Sequence, residues 1–113
     1  MLQIRLGKGR PAPKGDPLGR ERLGYWADMT EQEAWDTGRG VWKLKVDRVL
    51  EQEEAQIIDL DGIVRAVARI TGVSKHADRR AIEGELLLGD PRIGKPTPAP
   101  HPSLNSIAYV DID

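Results

Sequence analysis

The stretch "AQIIDLDGIVRAVARITG", residues 55–72, decides how this 113-residue chain is read. Two Ile/Val-rich runs, Ala55–Leu60 and Ile63–Ile70, flank Asp61-Gly62. Asp-Gly is a favoured two-residue hairpin loop, because it tolerates the positive φ angles that a tight, correctly twisted turn demands. A helix competes for the second run, since Ile63, Ala66, Val67 and Ile70 also fall at helical spacing. The β-branched content and the stop at Thr71-Gly72 favour a strand. The expectation is therefore an antiparallel pair, Ala55–Leu60 with Ile63–Ile70.

On the N-terminal side, Thr30-Glu31-Gln32-Glu33 has the form of a capping box, in which side chain and backbone at each end satisfy one another. Met29 and Ala34 stand where a hydrophobic staple would form. A short helix is expected from Glu31 to Thr37, ended by Gly38 in a left-handed turn. Beyond it Trp42, Leu44 and Val46 alternate with Lys43, Lys45 and Asp47, the pattern of a half-buried strand. "DRVLEQEEA" reads ambiguously, as one helical turn followed by a connection. Leu2, Ile4 and Leu6 alternate with Gln3 and Arg5, which suggests a short first strand. From Gly7 to Gly24 the chain is dense in Gly, Pro and basic residues and is expected to be a flexible basic loop or arm. Facing water is the plainer reading of that charge, and a nucleic-acid arm the sharper one.

On the C-terminal side, "GVSKHADRRAIEG" begins as a polar loop, and Ala81–Leu88 suits a third strand. In residues 94–103 Pro96, Pro98, Pro100 and Pro102 stand at every second position, which forces an extended chain and bars a central strand. A rigid crossover loop is favoured there over a ligand for an SH3-type domain. "SIAYVDI", residues 106–112, reads as the last strand. One domain over residues 1–113 is expected, with five or six strands and one or two short helices.

Bulk composition narrows the function classes. The chain has 17 Lys/Arg and 18 Asp/Glu, for a formal net charge of -1, so no global charge argument for nucleic acid or membrane is available. The absence of cysteine excludes disulfide and thiolate chemistry and fits a cytoplasmic protein. No apolar run approaches a membrane span, and no hydrophobic signal-peptide core is present.

Catalytic constellations are weak. His76-x-Asp78 and the distant His101 do not make a recognisable metal-ligand set, so neither metal nor cofactor is expected. Glu83/Glu85, Asp59/Asp61 and Asp111/Asp113 are carboxylate pairs, but period-two acidic residues also describe a water-facing strand. No serine has a nucleophile context, and "GKGRPAPKGD" lacks phosphate-loop spacing. What remains is the aromatic and arginine content of Tyr25, Trp26, Trp35, Arg39 and Trp42. Rings stack on bases, and arginine contacts phosphates or base edges. In a chain without phenylalanine, the competing reading for each tryptophan is core. For Arg39 it is an ion pair with Glu33 or Asp36.

The ordered elements "TEQEAWDTGRGVW", "AQIIDLDGIVRAVARI", "IEGE", "PRIGK" and "PSLNSIAYVD" resemble a group of small bacterial and phage domains akin to the PUA-like superfamily, with its ASCH, EVE, YTH and SRA branches. The resemblance spans roughly Thr30 to Asp111. It implies a strongly curved, barrel-like β-sheet in a β-rich α+β domain, and a non-catalytic module that binds RNA or DNA, with a modified base as one candidate ligand. Matching positions are Arg39, Gly40 and Trp42, then Gly62, Val64 and Arg65, then Gly94-Lys95, then Asn105 and Tyr109. Departures are Gly38 where Thr is expected, Ile82 in place of an aromatic, and Ser106 and Ala108 in place of Pro and Arg. The candidate nucleic-acid-binding residues are Arg39, Trp42, Trp26, Arg65, Lys95, Asn105 and Tyr109. Two other classes stand beside this reading: a protein-interaction module of the phage or host accessory kind, and a small hydrolase of RNA or nucleotides. A monomer or weak dimer with no membrane association is expected in each case.

Overall fold

The computed structural model describes residues 1–102 and 105–111. Along the chain lie β1 (Leu2–Arg5), β2 (Arg10–Pro11), β3 (Arg22–Leu23), α1 (Glu31–Gly38), α2 (Val46–Leu50), β4 (Glu54–Ile58), β5 (Val64–His76), β6 (Arg79–Leu86) and β7 (Ile107–Tyr109). Five strands form one mixed sheet in the order β6-β5-β4-β1-β7, and β2 and β3 form a separate two-stranded ribbon. The protein is thus a β-rich α+β fold with two short helices.

The expected hairpin forms, with β4 antiparallel to β5. Its loop is one residue longer than Asp61-Gly62 implies. Gly62 N–H donates to Asp59 C=O and Asp59 N–H to Ile63 C=O, so Leu60, Asp61 and Gly62 make a three-residue turn. Gly62 takes the left-handed position of that turn at φ 78°. The buried Asp59 carboxylate completes it, accepting from Asp61 N–H and Ile63 N–H. The polar stretch after Gly72 is not a loop. β5 continues to His76 and turns back through Ala77-Asp78 into β6, with His76 opposite Arg79. Long cross-strand pairing won over local polarity there, because one strand face can remain in water.

The capping box closes as read, with Thr30 Oγ1 accepting from Glu33 N–H and Glu33 Oε1 from Thr30 N–H. Gly38, however, does not turn left-handed: α1 runs through it and ends at Arg39 in the right-handed region. Its missing side chain serves packing instead, since a Cβ there would stand 2.7 Å from Ile57 Cδ1. The expected strand over Trp42–Val46 is also replaced. Trp42 makes only an isolated bridge to Arg80, and Val46 already begins α2.

β1 is parallel to β4 and antiparallel to β7, so alternation divides the sheet's central side chains between two layers. Leu2, Ile4, Ala55, Ile57, Ala66 and Ile82 pack with Ala34 and Trp35 of α1 and Val49 of α2. Trp35 is 4 % exposed and is core. The other layer has an apolar part, Ile58, Val64 and Val67 beneath Leu87 and Ile93. Its polar part is the buried Gln3–Gln56 pair. Gln3 Nε2 donates to Gln56 Oε1 and to Ala99 C=O, and Thr97 Oγ1 donates to Gln56 Oε1. Through Thr97 and Ala99 the proline-rich segment thus meets this polar part of the layer; in the chain it lies between β6, at one edge of the sheet, and β7, at the other. Ile112, at the end of the expected last strand, lies outside the described residues, as do Ser103, Leu104 and Asp113.

Candidate nucleic-acid interface

The seven residues singled out in the sequence separate into groups. Trp42, Asn105 and Tyr109 converge on one cleft of about 460 Å³, whose lining also includes Lys43, Lys45 and Arg48. Sixty residues of chain separate its two walls. One wall is the irregular strap Trp42–Lys45 leading into α2; the other is β7 with the residues just before it. Among the described residues no carboxylate lines this cleft. The Arg48 guanidinium lies 4.0 Å from the Tyr109 ring centroid, a cation–π stack that holds both side chains in place. Burial pushes the Tyr109 phenol above its ordinary pKa while the Arg48 charge pulls it down. The phenol is therefore a neutral donor and acceptor at physiological pH. Trp42 is half-buried, with its indole Nε1–H donating to Gly38 C=O at 2.8 Å, so its orientation is fixed by the end of α1.

Trp26 and Arg39 line a different cleft, of about 390 Å³, together with Glu33, Asp36 and Glu21. Arg39 is committed to the sheet, donating to Ile82 C=O and to Glu83 Oε1, each at 3.3 Å. Its ion-pair partner is thus Glu83, not Glu33 or Asp36. The Trp26 ring is covered by Arg22, 4.1 Å from its centroid. Arg65 is paired with Asp59 at 2.7 Å and stacks over Tyr25. Lys95 is exposed in the crossover, where its C=O accepts from Val64 N–H. Neither Arg65 nor Lys95 reaches the cleft of Trp42 and Tyr109.

The segment Gly7–Gly24, expected to be a loop or arm, folds back on the body as the β2–β3 ribbon. Its anchor is Arg20, missed in the sequence because its partners are main-chain oxygens. Arg20 donates to Asp36 C=O, Thr37 C=O and Gly40 C=O, covering the carbonyl end of α1. Asp16 grips the same guanidinium at 2.8 Å, and both side chains are buried, 8 % and 5 % exposed for Arg20 and Asp16. The Arg20 guanidinium holds the Asp16 carboxyl well below the usual range, at about 2. This docking creates a second basic cleft of about 480 Å³, lined by Lys8, Arg10, Lys14 and Arg79, with Asp16 its one carboxylate among the described residues.

Several of the candidate carboxylates are engaged structurally. Asp59 holds the hairpin turn and Arg65; Glu83 pairs with Arg39 at the end of α1, and Glu85 pairs with Arg69 of β5. Asp113 lies outside the described residues. His76 Nε2 bonds the Ser74 hydroxyl, and His101 lies between Gln3 Oε1 and Asn105 C=O. Among the described residues no group of three or more His, Asp or Glu is placed to hold a metal ion. No helix among them is long and apolar enough to cross a membrane. No protein-family model, curated protein or solved structure matches the chain.

Proposed function

We propose that this chain is a non-catalytic nucleic-acid-binding domain of the PUA-like kind, and that it engages a base and its flanking phosphates in the cleft between the strap and β7. The observation that carries this reading is the convergence of Trp42, Asn105 and Tyr109 with Lys43, Lys45 and Arg48 around one concavity that no carboxylate of the described residues lines. Cations there would neutralise phosphates, while the Tyr109 hydroxyl, with Asn105 beside it in the lining, offers a donor and an acceptor to a base edge. A modified base would be distinguished by the fit of its added group between Trp42 and Tyr109.

Support for the curved, barrel-like form comes from register shifts in β4 at Ile57/Ile58 and in β5 at Ile70/Gly72, which bend and twist the sheet. The strap adds to this, binding the β6 edge through Trp42 and Arg80 while facing β7 across the cleft. Arg39 enters as a positioning residue, tying the end of α1 to β6 behind the strap.

Fluorescence anisotropy of labelled RNA and DNA tests this reading, with and without modified bases. Lys45→Glu/Arg48→Glu should weaken binding about tenfold or more at low salt, with circular dichroism unchanged. Equal affinity in that variant would remove the cleft from the site.

A further inference from the structure

Resting on that reading, we infer that the ligand is an extended single strand, and that it runs from the Tyr109 cleft past Trp42 into the second cleft under the N-terminal ribbon. Trp42 and Ser106 line both clefts, so the two adjoin there, and the trough inferred from them has Trp42 at its midpoint. Charge is segregated along it. Lys43, Lys45 and Arg48 line one half; Lys8, Arg10, Lys14 and Arg79 line the other. Among the described residues Asp16 is the single carboxylate in the lining of the trough, and it is spent on Arg20. Seven cations of the lining thus have no carboxylate partner among the described residues, on a chain whose formal net charge is -1. A surface that merely keeps a near-neutral protein soluble would intersperse the two signs. A trough of one sign concentrates a polyanion.

Two observations favour a single strand over a duplex. The two halves, of about 460 and 480 Å³, are spaces on the scale of single nucleotides. In addition, among the described residues β7 pairs on one side only, with β1. Arg5 N–H donates to Ser106 C=O and Val110 N–H to Met1 C=O, so alternation turns the N–H and C=O groups of Ile107 and Tyr109 away from β1. Ile107 and Tyr109 both line the cleft. Main-chain groups on that wall can bond the edge of an unpaired base, which base pairing in a duplex would hide. Trp42, fixed at the junction by its bond to Gly38, supplies a ring face between the two halves.

The ribbon is therefore a binding element rather than a decoration of the fold. Its Asp16–Arg20 anchor sets the second half of the trough against the first.

The test is a length series of labelled single-stranded oligonucleotides, about three to about twelve nucleotides long, with a duplex of the longest sequence, each across a salt series. Affinity should rise with length until both halves are filled. The log–log salt slope should steepen from about −2 for the shortest probe toward about −5 for the longest. The duplex should bind more weakly than its single strand. Lys14→Glu/Arg79→Glu, on two exposed side chains, should show a deficit that grows with length to about tenfold or more. Salt-sensitive binding with no dependence on length beyond the shortest probe would overturn the continuous trough and leave the base-binding cleft standing. Tighter binding of the duplex would overturn the single-strand assignment. Failure of every probe to bind at low salt would overturn both readings.

Discussion

Asp16 shows how one residue couples a loop to the core. Its carboxylate binds the Arg20 guanidinium, and main-chain N–H groups of Leu18 and Arg20 also donate to it. Its folded pKa of about 2 lies below the ordinary value of 3.8. A depressed carboxylate pKa stabilises the fold above the unfolded value, and the contribution disappears as pH falls through the folded value. Asp16→Asn should therefore cost about 2 kcal/mol near neutral pH. In urea titrations the gap between variant and parent should close progressively from about pH 5 toward pH 2. A gap that stays constant over that range would show that the pair does not anchor the ribbon. None of this was legible in "KGDPLGRER", where aspartate and arginine four apart in a Gly/Pro-rich run look like solvated charge. Burial of the pair depends on the carbonyl end of a helix that lies outside that run.

Among the elements, α1 was the most legible and its terminus the least. The capping box is a bond pattern within four residues, so the sequence states it directly. The role of Gly38 is set by Ile57 in β4, which no local pattern reveals. Gly38→Ala should destabilise by about 1 kcal/mol and at most about 2, because an overpacking cost of about 1–3 kcal/mol against Ile57 is offset in part by roughly 1 kcal/mol of improved helix propensity. A chemical-denaturation midpoint equal to or above the parent's would show that Ile57 gives way freely. The same contrast explains the Trp42–Val46 segment. Its alternation fits a strand, yet only Trp42 pairs with the sheet. A pattern of alternate burial records which side chains meet the core, not whether a neighbouring strand is present to take the hydrogen bonds.

For the whole molecule, the sheet is assembled from the ends of the chain inward. β1 meets β4 through Gln3 and Gln56, 53 residues apart, and the first and last strands join through Met1 and Val110, 109 residues apart. Closing such loops costs entropy before the contacts that reward it can form. Folding should accordingly take on the order of milliseconds to seconds in stopped-flow tryptophan fluorescence. Complete relaxation in microseconds would mean that local elements dominate the folding barrier.

The sequence by itself determined the elements whose bonds are short-range: the capping box, the β4–β5 hairpin and the first strand. Each rests on backbone preferences or on a period of alternation within a few residues. Only the tertiary structure decided that β1 lies between β4 and β7, that Trp35 is core while Trp42 lines two clefts, and that the cations of three distant segments line those adjoining clefts. Those outcomes follow from which apolar faces bury one another across the whole chain. A charge can be counted in the sequence, but the fold decides which other charges it faces.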